Sequence, residues 1–262
     1  MEPEDQALVL SSGTFDAAPV LERPLVNLSQ NRFNAPPIAP IAEGLYPNVL
    51  LVVPTLNEET GLPRVLAEAR RLGVTTIVAD GGSTDGTSRV ARDFDIPVLT
   101  VSRGKGRGLR EFLSRVDYKE WEYVAIVDGD ATYDLSSLPR LLECRSDMVI
   151  GRRKPLTGAT TWVRGSGDSL FSGLVSLFTG RECPDLLSGF RLIRSSCLQE
   201  LTLASSNFEL ETELTIRFLR QDYTVEWVDI EYRPRLGHSK LNALKDGWSI
   251  LYAIVHYSLV KP

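Results

Sequence analysis

Four apolar runs of strand length recur between residues 49 and 130: VLLVVPT at 49–55, TTIVAD at 75–80, a run at 97–102, and YVAIVDGD at 123–130. They are continuous rather than alternating, the pattern of strands covered on both faces. Between them, GLPRVLAEARRLG at 61–73, a stretch capped by Asp85 and running to Phe94, and residues 108–116 carry helical signals. Strand and helix in alternation require parallel neighbours joined by crossover connections. The expected fold class is α/β: a single Rossmann-like domain with a mostly parallel, mixed central sheet covered by helices.

The second half is less regular. It predicts a helix at 136–145, strands at 147–153 and 188–195, the latter of mixed direction, and an alternating strand at 223–233. A helix at 207–222 offers Phe208, Leu210, Leu214 and Phe218 to the core. Residues 1–47 contain seven prolines and no sustained period, so they are expected to form an extended or partly disordered arm. The domain proper should run over 48–240. Residues 241–262 are apolar with Trp248, Tyr252 and Tyr257, yet shorter than the ~20 residues a membrane span needs. They read as an amphipathic helix lying on a bilayer. From 170 to 178, Leu170, Phe171, Leu174, Val175, Leu177 and Phe178 gather on one helical face with Ser169, Ser172 and Ser176 opposite. That pattern fits a membrane interface or burial against the domain.

A net charge of -5 and no basic run argue against a nucleic-acid partner. Three cysteines are too few and too scattered for a disulfide framework or a thiolate metal site. With an acidic start that lacks the order of a secretory signal, they predict a cytoplasmic protein at the cytoplasmic face of a membrane.

Chemistry concentrates at the strand ends. Asp128-Gly129-Asp130 closes the fourth run, and residues two apart on a strand face the same way. The two carboxylates should converge at the carboxyl edge, where open α/β sheets bind ligands. A cation between them and a substrate phosphate would relieve their repulsion, and hard oxygen donors suit Mg2+ or Mn2+. A lone Asp-x-Asp is also an ordinary polar turn. Two more edge turns supply the context: Pro54-Thr55-Leu56-Asn57-Glu58-Glu59 and Asp80-Gly81-Gly82-Ser83-Thr84-Asp85-Gly86-Thr87. Gly104-Lys105-Gly106-Arg107-Gly108 either approaches phosphate or forms a flexible basic turn.

PTLNEE, VADGGSTDGT and VDGD, in this order and spacing, resemble the family 2 glycosyltransferases with the GT-A fold. GRR at 151–153, DLLSGFR at 185–191 and RPRLGHSK at 233–240 are similar to the dolichyl-phosphate mannose or glucose synthases within that group. The resemblance implies that Pro54, Thr55, Asn57 and Glu58 line a nucleoside pocket, that Asp80 meets the base, and that Asp128 and Asp130 hold metal and diphosphate. It implies a UDP- or GDP-hexose donor and a polyprenyl or dolichyl phosphate acceptor. Arg153 matches the family's Gly-Ser-Arg, with Arg152 in the place of Ser.

Several anionic groups meeting in one cleft also need protein cations. Arg153, Arg164, Arg191, Arg233, Arg235 and Lys240 are the candidates, Arg153, Arg164, Arg233, Arg235 and Lys240 for the acceptor phosphate. Asp130, Arg153 and Arg191 are expected to carry the transfer itself. A phosphate acceptor is already an anionic nucleophile, so in-line displacement with inversion is expected. Glu209 and Glu211 either contact the sugar or form a solvated helix face. Competing readings are a family 2 enzyme acting on a glycan or small phosphorylated acid, and a sugar nucleotidyltransferase.

Overall fold

The computed structural model describes residues 45–155, 162–237 and 243–259. Its centre is a seven-stranded sheet in the order β3-β2-β1-β4-β6-β5-β7. Strands β1 (Val49–Thr55), β2 (Thr75–Asp80), β3 (Val98–Thr100) and β4 (Tyr123–Ile126) are mutually parallel, as the alternation required. Strand β6 (Arg191–Arg194) runs antiparallel to both β4 and β5 (Met148–Pro155), whereas β5 and β7 (Val225–Tyr232) pair in parallel. This is the mixed-direction strand expected near 188–195.

Alternate residues of β1 divide the core in two. Leu51 and Val53 face helix α1 (Leu62–Leu72) and the side of α4 (Leu138–Glu143), packing with Leu62, Leu66 and Leu138. Leu50 and Val52 face the opposite layer, with Phe112 of α3 (Lys105–Arg115) and Leu214 and Phe218 of α7 (Leu210–Arg220). A side chain of this kind contributes about 1.5–3 kcal/mol when fully buried. A polar substitution in β1 would therefore damage one whole layer. The remaining helices are α2 (Thr87–Asp93), α5 (Trp162–Thr179), α6 (Ser195–Glu200) and α8 (Ala243–Leu259).

Local signals set the ends of α1. Pro63 lies in its first turn, where a missing N–H costs nothing, and Gly73 closes it at φ 63° with its amide bonded back into the last turn.

Three expectations are corrected. The sequence 104–108 is no flexible turn: α3 begins at Lys105, and Gly106 and Gly108 are buried within it. Helix α7 begins at Leu210, leaving Phe208 half-buried outside it. On α5 the two expected faces are split: Ser172 is buried beside Val175, with Phe171 and Leu174 packed inward, while Ser169, Leu170, Leu177 and Phe178 are exposed. Ser172 Oγ accepts the Leu186 amide at 3.0 Å and Ser176 Oγ the Cys183 amide at 2.9 Å, so the hydroxyls satisfy a buried loop. The expected arm lies almost wholly outside the described residues.

Candidate active site

The carboxyl edge of the parallel strands gathers the three turns. The first two are latched by hydrogen bonds between their backbones and side chains. Ser83 Oγ accepts the Asn57 amide at 2.8 Å, Asn57 Oδ1 accepts the Thr84 amide at 2.7 Å, and Thr87 Oγ1 accepts the Glu58 amide at 2.8 Å. Asn57 sits at φ 52°, a left-handed conformation that Asn tolerates better than most residues. Asp80 is 3% exposed, and its carboxylate accepts from Ser83, from Ser88 Oγ at 3.2 Å and from Thr55 Oγ1 at 3.4 Å. It shapes the turn from within, with its acceptors directed at the protein's own donors. Asp85 is held below the usual carboxylate range: burial pushes its pKa up, and hydrogen bonds from Thr87 and neighbouring amides prevail.

The third turn differs from its sequence-based description. The ladder of β4 stops at Ile126, so Asp128 and Asp130 occupy a loop rather than two places on a strand face. Asp130 Oδ1 accepts the Thr132 amide and hydroxyl at 3.1 and 2.7 Å, and its Oδ2 lies 3.0 Å from Arg235 Nη1. Asp128 Oδ1 lies 2.5 Å from Lys105 Nζ, which also pairs with Glu211 of α7. Burial works against charge on Lys105, but Asp128 and Glu211 outweigh it and hold its pKa well above the ordinary lysine range. Glu211 is 5% exposed, so it belongs to no solvated face; Glu209 instead accepts the amides of Ser206 and Asn207.

Two close approaches bring these turns together. A Cβ on Gly61 would come within 2.7 Å of the Asp130 backbone, and one on Gly189 would strike the Asp128 carboxylate and Lys105 Nζ. Only glycine allows the start of α1 and the segment before β6 to lie so close to the acidic turn.

The basic candidates divide. Arg235 reaches the rim, pairing with Glu58 at 2.5 Å as well as with Asp130. Arg153 is bound by Asp185 at 2.7 Å and by Asp168 of α5, and its guanidinium lies 5.5 Å from the Tyr232 ring centre. Burial pushes the Asp168 carboxyl up to about 6 despite Arg153, with Asp185 adding to the rise. Arg233 is committed to Glu68 and Asp134 at 2.7 and 2.8 Å.

Arg191 is a correction. It is 1% exposed, and its guanidinium donates to the carbonyls of Ser188 and Leu186 at 3.0 and 2.7 Å and to Thr215 Oγ1 at 2.8 Å. Burial lowers its pKa although Glu211 pulls the other way. It ties β6 to α7 and presents nothing to the cleft. The Arg164 side chain and Lys240 lie outside what the structure describes. Sequence reasoning passed over the ionic roles of Lys105, Glu211 and Asp168. The burial of Glu211 between Leu210 and Leu214 follows from α7 being enclosed on nearly every side.

Among the described residues no group of three or more His, Cys, Asp or Glu side chains could hold a metal by itself. Asp128 and Asp130 nonetheless fit a small hard cation, because Mg2+ and Mn2+ sites commonly take one or two carboxylates and complete their shell with substrate phosphates and water. Each carboxylate already faces a cationic side chain, so positive charge belongs at this place.

With the sheet and its acidic and glycine turns along one edge in place, comparison with known proteins gives the class of the chain as glycosyl transfer. The chain belongs to glycosyl transferase family 2, whose model matches residues 50–202. Glycosyltransferase AglJ of Haloferax volcanii is 31% identical over 210 residues, covering 76% of this chain and 68% of that one. A dolichyl-phosphate hexose transferase of the same organism is 29% identical over 226 residues, covering 84% of this chain and 97% of that one. The GT-A fold is shared with Mycobacterium tuberculosis glucosyl-3-phosphoglycerate synthase, solved in complex with Mn2+, uridine diphosphate and phosphoglyceric acid. The match has a TM-score of 0.66 at 18% identity and covers 82% of this chain and 80% of that one.

Proposed function

We propose that the enzyme transfers a hexose from a UDP- or GDP-sugar to a polyprenyl or dolichyl phosphate, with inversion, at the rim formed by the three turns. The observation that carries this reading is the meeting of Asp128 and Asp130 with the latched turns of Asn57 and Ser83 at one sheet edge. Bound between Asp128 and Asp130, Mg2+ or Mn2+ would neutralise the charge developing on the leaving diphosphate. Pro54, Thr55, Asn57 and Glu58 would form the nucleoside side of the rim, with Asp80 shaping it from within. The acceptor phosphate needs no general base, because its oxygen is an anion near neutral pH. Arg153, with Arg164 and Lys240, would orient it for attack opposite the leaving group.

The lipid acceptor draws support from the dolichyl-phosphate hexose transferase relative and from the surface. Helices α5 and α8 pack together and expose Leu170, Leu177, Phe178, Trp248, Tyr252, Val255 and Leu259. Aromatic and aliphatic residues at such a face suit the bilayer interface. Among the described residues no helix is long and apolar enough to cross a membrane. A second reading, a small phosphorylated acid as acceptor, rests on Arg153 being closely held by Asp168 and Asp185.

The deciding assay incubates the enzyme with labelled UDP- and GDP-hexoses and polyprenyl phosphate, with and without Mg2+ or Mn2+. Lipid-linked product that requires the metal and vanishes in folded Asp130→Ala is expected. Transfer only to water-soluble acceptors overturns the lipid reading, and undiminished turnover by Asp130→Ala overturns the metal role.

A further inference from the structure

The acidic rim is balanced in an unusual way. Asp128 and Asp130 each face one protein cation, and each cation is shared with a second carboxylate: Lys105 with Glu211, Arg235 with Glu58. Four carboxylates against two cations leave these six side chains with a net charge of −2, two positive charges short of neutrality and so the charge of one divalent ion. Within the rim, Asp128 at 29% side-chain exposure and Arg235 at 23% are the most open members.

A divalent ion entering between Asp128 and Asp130 would meet Lys105 and Arg235 already in contact with the same oxygens. Like charges in a poorly solvated cleft repel strongly, so the ion and the two side chains compete for the carboxylates. The competition ends when another anion takes up the displaced cations. A nucleoside diphosphate is such an anion, and Arg235 is prepared for one: its Nε–H is buried and has no acceptor among the described residues. An oxygen of the diphosphate would satisfy it.

We infer that Lys105 and Arg235 are stand-in cations that hold the metal carboxylates until the donor arrives, making divalent-ion binding conditional on the nucleoside diphosphate. This rests on the donor reading above and adds an order of assembly: the ion enters with, or after, the nucleotide. Because coupling between two ligands is reciprocal, the metal tightens nucleotide binding by the same factor. Lys105 and Arg235 are thus positioning residues, changing partners from carboxylate to diphosphate as the site fills.

The test is Mn2+ titration of the full chain followed by electron paramagnetic resonance of free Mn2+, alone and with UDP or GDP. For the wild type, Mn2+ should bind at least about tenfold more tightly with the matching nucleotide, within the usual range of coupling between sites. Lys105→Met and Arg235→Met should each bind Mn2+ more tightly than wild type without nucleotide, and should lose much of the nucleotide-dependent gain. Lys105→Arg, which keeps the charge, should behave as wild type. Circular dichroism checks each fold, and if Lys105→Met is unfolded, Arg235→Met decides. Unchanged or weaker nucleotide-free affinity in the folded Met variants overturns the inference while leaving the metal site standing. Equal wild-type affinity with and without nucleotide overturns it in the same way. No Mn2+ binding by wild type with either nucleotide defeats the metal reading itself.

Discussion

The Tyr133 hydroxyl accepts the backbone N–H of Gly189 at 2.7 Å, joining the loop after the acidic turn to the segment that enters β6. Tyr133 is buried against Phe190 and Tyr232, and burial holds its phenol well above the ordinary tyrosine range, so it stays neutral. The bond keeps Gly189 against Asp128, on which the geometry of the rim depends.

Gly189→Ala should therefore move Asp128 off Lys105. We expect a loss of transfer of about 100-fold, the scale of a misplaced catalytic group, with the thermal midpoint little changed. Steady-state kinetics and calorimetry on the same preparation check this. Full activity would mean that the carboxylate has room to move.

Arg191 should behave as a structural residue. Arg191→Met leaves two carbonyls and a threonine hydroxyl without their donor in the interior, costing about 2–5 kcal/mol. The unfolding midpoint should fall by roughly 10 °C while the acceptor KM of the folded enzyme stays the same. A raised KM at unchanged stability would place the guanidinium on the phosphate after all.

Asp168 makes stability depend on pH. Its folded carboxyl titrates at about 6 against 3.8 in the unfolded chain, so the folded state keeps a proton that the unfolded state has lost. The contribution of Asp168 to stability should be greatest below pH 4, decline as pH rises to about 6, and level off beyond, by on the order of 3 kcal/mol at most. Asp168→Asn should lack this decline. Thermal midpoints of both proteins between pH 4 and 7.5 provide the comparison, and parallel curves would refute it.

The exposed aromatics of α8 should matter only at a lipid surface. Trp248 is 73% exposed and Tyr252 69%, so replacing both by Asp should leave folding and soluble-donor binding intact. Sedimentation with anionic vesicles should drop several-fold, since each buried side chain contributes about 1.5–3 kcal/mol to partitioning. Equal sedimentation would remove α8 from the membrane reading.

How legible the fold was depended on whether the deciding forces were local. Strands β1, β2 and β4 stood out because burial on both faces demands unbroken apolar runs, as at Leu50 to Val53. Helix α3 was cut short in the sequence because Gly106 and Gly108 look like breakers. Their reason is tertiary: a Cβ on Gly106 would lie 2.5 Å from the Ser205 carbonyl oxygen, and this close packing overrides poor helix propensity. Ser172 and Ser176 of α5 misled in the opposite sense, because a hydroxyl serving buried amides is indistinguishable by composition from one facing water. Lys105 was visible as a residue but not as a contact, since its partners Asp128 and Glu211 lie on other elements and no periodicity links them.

The reversed direction of β6 has a consequence for how such a chain can vary. Strand β5 leaves the sheet at the same rim where β6 enters it, so the whole excursion from residue 156 to 190, α5 included, starts and returns on one side. A change in its length would not re-thread a strand, provided that the returning end still delivers a glycine beside Asp128.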